Sequence, residues 1–368
     1  MPMRFSKAVE RIPVYPAASG YGKAAEYALM ASNESPEPPL EAVVEAARLA
    51  LLGANRYPDP GSIKLRTALS ERYEVPLNHI QVGNGSCDML LAAGEALLEE
   101  GAEVVFAWPS FSVYPHLAEA SGATAIRVPL NDKHEHDLDA MLAEITAATR
   151  LVIVCNPNNP TSTALPYAEI ERFVEQVPDH VCVLLDEAYC EFNTLDDPDS
   201  SIALLAKHPN LVLLRTFSKV YGLCGLRVGY ALCGSDEFVT ATSQVRQPFH
   251  CNAVAQAAAT EALRHEDQIT GRIERAIVAR MTLEDGLREL GIEPAVSQAN
   301  FVWFDLPQGD SDDAAEVESR VLAGLTDAGY QVRAGGALGR PGALRVSFGT
   351  PEQNTGFIAA LGALVSTA

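Results

Sequence analysis

The chain has 368 residues, of which 48% are apolar and 20% charged, and its formal net charge is −21. This length suits two domains better than one, and the apolar content excludes wholesale disorder. The acidic balance excludes nucleic acid and an anionic membrane surface as partners, so an anionic substrate needs a local cationic pocket.

Residues 1–40 are rich in Pro, Gly and Ser and read as an extended arm with little core of its own. The opening "MPMRFSKAVERIPVYP" has no long apolar run of a secretory leader, and no stretch approaches the roughly 20 apolar residues of a membrane span. Seven cysteines are scattered without a C-x-x-C spacing. Together these features predict a reducing, cytoplasmic location.

Helices are predicted over "PLEAVVEAARLALLG", closed by Gly53, and over "KLRTALSERY", which follows the turn cluster "NRYPDPGS". From about residue 80 strands and helices alternate. The predicted strands are "HIQV", "AEVVFAW", "TAIRVPL", "RLVIVC", "VCVLLD", "LVLLRTF" and "LRVGYALC". Apolar runs of this kind, separated by helices, predict an α/β domain whose mostly parallel central sheet is buried on both faces. One long helical region is predicted from Asn252 to Leu290. Strand, helix, strand and helix then follow, as a smaller α+β domain.

Ligands of such sheets sit beyond the carboxyl ends of the strands. Those positions hold Gly83–Ser86, Asn156–Thr161, Asp186-Glu187 and Ser218-Lys219. A lone lysine past a strand is ordinarily a solvated surface residue. Lys219 differs in lying among Ser218, Gly222, Gly225 and Arg227. A lysine held near cations and desolvated has a lowered pKa and serves as an amine nucleophile, while the serine and arginine suit a phosphate.

Asp186 leaves a strongly apolar run. It reads either as a turn or cap residue or as a carboxylate kept ionised beside a protonated ring nitrogen. Tyr189 follows it. "NPNNPT" is turn chemistry in any protein, and Asn159 in it is placed to present an amide. "GNGSCD" places Gly85 and Ser86 before a helix, a weak phosphate signal that lacks the last glycine of a dinucleotide fingerprint. "WPSFSVY" contributes Trp108, Phe111 and Tyr114, of which two are expected in the core and one on a planar ligand. Arg333 and Arg345 follow in the smaller unit. An arginine in the apolar strand "ALRVSF" needs an anion. "HEHD" at 134–137 is expected to be a polar loop, with no metal site.

The ordered set "ASNESP", "NRYPDPG", "GNGS", "CNPNNPT", "LLDEAY", "RTFSKVYGLCGLRVGY", "SQANFVWF" and "LRVSFGT" spans residues 31–350. It resembles the fold-type I pyridoxal-phosphate aminotransferases. Within them it is similar to the histidinol-phosphate aminotransferase group and its close relatives, the aromatic-amino-acid aminotransferases. The resemblance implies the PLP-transferase fold. An arm at 1–40 packs with the small domain, a large cofactor-binding domain spans 41–265, and the small C-terminal domain spans 266–368.

It implies pyridoxal 5'-phosphate as cofactor, with Lys219 forming the Schiff base and shuttling a proton. Asp186 would pair with the ring nitrogen, and Asn159 and Tyr189 would contact the ring oxygen. Phe111 would stack on the ring. Gly85, Ser86, Cys87, Ser218 and Arg227 would hold the phosphate. Tyr57 would reach the neighbouring subunit's phosphate, which implies a homodimer.

Arg345, Arg333, Asn33 and Tyr21 would bind substrate, with Tyr15 beside Tyr21 in the arm. The implied reaction is ping-pong transfer from an amino donor to 2-oxoglutarate. Histidinol phosphate is placed first as donor and an aromatic amino acid second. A decarboxylase on the same scaffold is a remote third reading. The chain departs from the family pattern at Cys87, at Ser162 and at Phe111, where glycine and tyrosine are common in the last two positions.

Overall fold

The computed structural model describes residues 3–12, 26–309 and 313–365. In chain order the first elements are α1 (Lys7–Arg11), β1 (Ala28–Leu29), α2 (Glu41–Leu51), α3 (Ile63–Tyr73), β2 (Ile80–Gly83), α4 (Ser86–Leu97), β3 (Glu103–Trp108), α5 (Tyr114–Ser121) and β4 (Thr124–Pro129). Next come α6 (Leu138–Ala143), β5 (Thr149–Cys155), α7 (Tyr167–Gln176), β6 (Cys182–Asp186), β7 (Leu211–Thr216), β8 (Gly229–Cys233) and α8 (Asp236–Val245). The last are α9 (Ala253–Ala262), α10 (Glu266–Glu289), β9 (Phe301–Asp305), α11 (Ala314–Asp327), β10 (Tyr330–Gln331), β11 (Arg333–Ala334), β12 (Ala343–Ser347) and α12 (Pro351–Val365).

The central sheet has seven strands in the order β2-β8-β7-β6-β5-β3-β4. β4, β3, β5, β6 and β7 run parallel, and β8 is antiparallel to both β7 and β2. The mostly parallel sheet read from the strand–helix rhythm is therefore present. Its strands alternate between two apolar layers. Val105, Val152, Val154, Val183, Leu185 and Leu213 face one layer. Val104, Phe106, Leu151, Ile153, Leu184 and Leu214 face the other. A strand sends successive side chains to opposite faces, so a sheet covered on both sides needs continuous apolar runs. α7 shows the complementary rule: Ile170, Phe173 and Val174 are buried at helical spacing while Glu169 and Glu175 face water.

The long helix expected from Asn252 to Leu290 is two helices. α9 is capped by the Asn252 side chain, which accepts from the Ala255 N–H, and it ends at Ala262. His265 then leaves helical geometry at φ −116°, and Glu266 and Asp267 open α10. Acidic residues in a first turn favour a new helix N-terminus, which is why the polar "RHED" stretch breaks the run.

A second sheet has the order β11-β12-β9, all antiparallel, and packs on α10, α11 and α12 through Leu283, Val302, Val346 and Phe357. β1 pairs in parallel with β10, Ala28 opposite Tyr330 and Leu29 opposite Gln331. These two-residue strands carry no periodicity and were not legible in the sequence. Among the described residues, no helix is long and apolar enough to cross a membrane.

Candidate active site

A cavity of about 450 Å3 opens where the carboxyl ends of β5, β6 and β7 meet β11 and β12. Ser86, Cys87, Phe111, Asn159, Asp186 and Tyr189 line one part of it. Ser218, Lys219, Arg227, Arg333, Arg345 and Asn33 line the rest. The fold thus brings together side chains that lie up to 312 positions apart, from Asn33 to Arg345. Tyr57 is elsewhere: it is 81% exposed and stacks on Phe249 at a centroid distance of 4.5 Å. Tyr21 and Tyr15 lie outside the described residues.

Asp186 ends β6 with 3% of its surface exposed. The Tyr114 hydroxyl donates to its Oδ2 at 2.9 Å, and the Ala188 N–H donates to its Oδ1 at 3.2 Å. Burial pushes the carboxyl up to about 6, and those two donors oppose the shift. The group therefore ionises near neutrality and offers its charge to a cationic partner inside the cavity.

Lys219 lies just beyond β7. Its Nζ donates to the Asn33 carbonyl at 3.1 Å and the Ser32 carbonyl at 3.5 Å, and it sits 5.3 Å from the Tyr189 ring centroid. Burial, and then the nearby Arg345 guanidinium, push its amine down to about 8. A fraction of it is thus unprotonated and nucleophilic at neutral pH. Tyr189 is 4% exposed, and burial raises its hydroxyl pKa, so it stays a neutral donor.

At one end of the cavity, Ser86 begins α4, whose N-terminal N–H groups favour an anion. Arg227 takes a left-handed φ of 60° and donates to the Cys224 carbonyl at 2.9 Å and to Ser218 Oγ at 3.4 Å. A Cβ at Gly85, whose φ is +81°, would collide with that guanidinium. A Cβ at Gly229 would lie 2.5 Å from the Ser86 nitrogen. Both glycines are needed for this close packing. Burial pushes the Cys87 thiol up to about 11, so Cys87 adds no negative charge to this corner.

At the other end, Arg345 on β12 donates from Nη1 to Asn159 Oδ1 and from Nη2 to the Ala31 carbonyl, both at 2.6 Å. Asn159 thereby spends its oxygen on the arginine and keeps its amide donor for a ligand. Arg333 lies directly opposite Arg345 across β11 and β12.

A phosphate corner, a buried carboxylate, a depressed lysine and an aromatic ring, Phe111, in one cavity fit a flat, anionic, carbonyl-bearing cofactor with a basic ring nitrogen. The residue types in this cavity fit pyridoxal 5'-phosphate.

Tyr114, Asn158, Ser347 and Asn300 hold this site together, though the sequence reading gave none of them a role in it. Tyr114, expected in the core, is indeed fully buried but serves Asp186. Asn158 accepts from Ser110 Oγ at 2.7 Å and pairs with His136 Nε2 at 3.1 Å, joining the Phe111 loop to the Asn159 loop. Ser347 and Asn300 hold Asn33. "WPSFSVY" pointed near Tyr114, and Asn158, Asn300 and Ser347 lie inside "CNPNNPT", "SQANFVWF" and "LRVSFGT". His136 serves that structural bond, and no group of three potential metal ligands occurs among the described residues.

A model of the aminotransferase class I and II family matches residues 25–361. An aromatic amino acid aminotransferase of Mycobacteroides abscessus is 40% identical over 359 residues, covering 97% of this chain and 98% of its own. A histidinol-phosphate aminotransferase 1 of Cupriavidus pinatubonensis is 43% identical over 332 residues, covering 90% and 86%. Among solved structures, the histidinol-phosphate aminotransferase of Sinorhizobium meliloti in complex with pyridoxal-5'-phosphate superposes with a TM-score of 0.90. It is 26% identical and covers 100% of this chain and 99% of that one.

Proposed function

This chain belongs to the class I and II aminotransferases, which work with pyridoxal 5'-phosphate, and from that premise we propose that it moves the amino group of an aromatic L-amino acid to 2-oxoglutarate. The observation that carries the reading is the setting of Arg345. It is buried, held by Asn159 and the Ala31 carbonyl, and close enough to Lys219 to depress its amine. One clamp so placed would serve the α-carboxylate of 2-oxoglutarate with either donor, and with an aromatic amino acid it would serve both half-reactions, because each of those substrates carries one. Histidinol phosphate has none. The name of the Mycobacteroides relative, which matches over nearly the whole chain, supports the same donor.

Bound in this cavity, the cofactor supplies a carbonyl for the donor's amine and a ring that accepts electrons. Lys219 would hold the cofactor through Nζ and would take and return the substrate proton. Asp186 would stay ionised for the ring nitrogen. Tyr189 and the Asn159 amide would donate to the ring oxygen, and Phe111 would pack on the ring. Ser86, Ser218, Arg227 and the N–H groups at Gly85 and Cys87 would hold the phosphate. Arg345 fixes the α-carboxylate, and Arg333 takes the distal carboxylate of 2-oxoglutarate. With an arm at 1–40, a large domain at 41–265 and a small domain at 266–368, the residues around this cavity would come from all three, the arm contributing Ala31, Ser32, Asn33 and Glu34. The exposed Tyr57 would reach the phosphate corner of a second copy, which makes a homodimer the working form of this reading.

A second donor reading, histidinol phosphate, is favoured by one observation. Arg333 and Arg345 face each other across β11 and β12, and paired guanidinium groups suit a phosphate dianion. The Cupriavidus relative supports it.

The test is a half-reaction screen. Purified holoenzyme is mixed separately with phenylalanine, tyrosine, histidinol phosphate and glutamate, and the cofactor's visible absorbance is followed. Conversion by phenylalanine or tyrosine is expected. Conversion by histidinol phosphate, with the aromatic amino acids inert, transfers the assignment to the second reading. Stoichiometric CO2 release would make the protein a decarboxylase.

A further inference from the structure

Asn33 is 1% exposed and holds a left-handed φ of 54°, a conformation that asparagine tolerates better than most residues. Its backbone N–H donates to Ser347 Oγ at 2.7 Å. The same hydroxyl returns its hydrogen to Asn33 Oδ1 at 2.9 Å. The Asn33 amide nitrogen then donates to the Tyr189 hydroxyl at 3.0 Å. Its carbonyl accepts from Lys219 Nζ at 3.1 Å and from the Asn300 amide at 3.2 Å.

The polarity of this chain is not free. Ser347 is 1% exposed, so its hydroxyl hydrogen needs a protein acceptor. With the amide as placed, Oδ1 is that acceptor. Flipping the amide would set the NH2 group against Ser347 and strand the serine hydrogen in a dry site. The side-chain oxygen therefore belongs to Ser347, and the nitrogen belongs to Tyr189. Because the Tyr189 oxygen accepts that bond, its own hydrogen is directed elsewhere. Ser347 lies two residues from Arg345 on β12 and therefore projects to the same face.

We propose that Asn33, locked by Ser347, is a positioning residue that fixes the direction in which Tyr189 donates its hydrogen and ties that donor to the strand carrying Arg345. This extends the aminotransferase reading, on which it rests for the cofactor alone. The Asn33 side-chain oxygen and one of its N–H groups are thus committed to protein partners, and on this proposal its influence on the site passes through Tyr189.

A hydroxyl that donates to the cofactor's ring oxygen favours the oxygen's anionic form and lowers the pH at which the cofactor–lysine linkage loses its proton. The test is a pH titration of the visible absorbance of the holoenzyme without any substrate, so the donor's identity does not enter it. The proteins are the parent, Asn33→Asp, Ser347→Ala, Tyr189→Phe and the two double variants. Aspartate at 33 only accepts, so it turns the tyrosine hydrogen away from the cofactor. Its added charge acts in both backgrounds alike.

The expected result is that Asn33→Asp raises the titration midpoint by about one unit more with Tyr189 present than on the Tyr189→Phe background. Ser347→Ala raises it by a smaller amount with Tyr189 and not at all without. Equal shifts in both backgrounds, or a Ser347→Ala midpoint at the parent value, would overturn the proposal. Should Asn33→Asp fail to fold in a thermal melt, the Ser347→Ala cycle decides alone.

Discussion

The Tyr114 hydroxyl donates to Asp186 Oδ2 at 2.9 Å with both side chains inside the protein, Tyr114 wholly so and Asp186 at 3% exposure. A carboxylate at that depth is held near neutrality by burial, and this tyrosine is the foremost group opposing the shift. A ring nitrogen bound there would meet a charge that a residue behind it favours.

Removing that donor should raise the Asp186 pKa beyond about 6. In Tyr114→Phe the carboxyl is protonated over more of the neutral range. Cofactor affinity, measured by equilibrium dialysis, should fall several-fold at pH 6.5 and return towards the parent value at pH 8.5, where the group ionises in either protein. An equal loss at both pH values would contradict the assignment.

Asp186 also makes a prediction for the cofactor-free fold. Its folded pKa is raised from 3.8 to about 6, so the ionised form costs stability above pH 6, and the cost disappears once the group is protonated in both states. Asp186→Asn should thus stabilise the apoprotein by roughly 3 kcal/mol at pH 8 and by little at pH 4. Denaturant melts at the two pH values measure this. A variant less stable than the parent at pH 8 would show that the carboxylate is not a burden.

Lys219, pushed down to about 8, should react with an amine reagent in cofactor-free protein along a curve with its midpoint near that pH. The Lys219→Ala protein supplies the background. Arg345 contributes to the depression as a neighbouring cation, so Arg345→Gln should move the midpoint upward. A downward move would reverse the assigned sign.

Arg333→Gln should separate the two half-reactions. With Arg333 on the distal carboxylate, its loss should slow 2-oxoglutarate and glutamate by about 30-fold and leave phenylalanine within about threefold. Loss of the phenylalanine reaction to the same extent would remove Arg333 from acceptor recognition.

Tyr57 lies 81% exposed, away from its own cavity. In a homodimer with shared sites, Tyr57→Ala and Lys219→Ala subunits should complement each other. Random reassortment makes half the dimers hybrid, each with one intact site, so activity should recover to about a quarter of the parent's. Mixed subunits that remain as inactive as either variant alone would rule out sharing.

Much of this architecture could be read locally. Buried strands such as "RLVIVC" and "LVLLRTF" need apolar residues on both faces, and the polar groups that leave them sit where a parallel sheet opens its ligand crevice. Asp186, Lys219 and Asn159 were found in this way, and the motif order pointed to their family. The break at His265 was not found, because one residue leaving helical torsions, at φ −116° and ψ 47°, turns one long helix into two and leaves no mark on the apolar pattern. Neither was the pairing of β1 with β10, which is too short to leave a period of its own.

The chain's local pattern thus specified many of the residues that line the cavity, since strand ends and motifs are properties of neighbouring positions. Which way those residues are tuned rests on contacts between distant segments. Asn33 meets Ser347 across 314 positions, Asn159 meets Arg345 across 186, and Tyr114 meets Asp186 across 72. Hydrogen-bond polarity and desolvation arise only when such groups are buried together, so the direction of each donor and the shift of each pKa belong to the folded molecule.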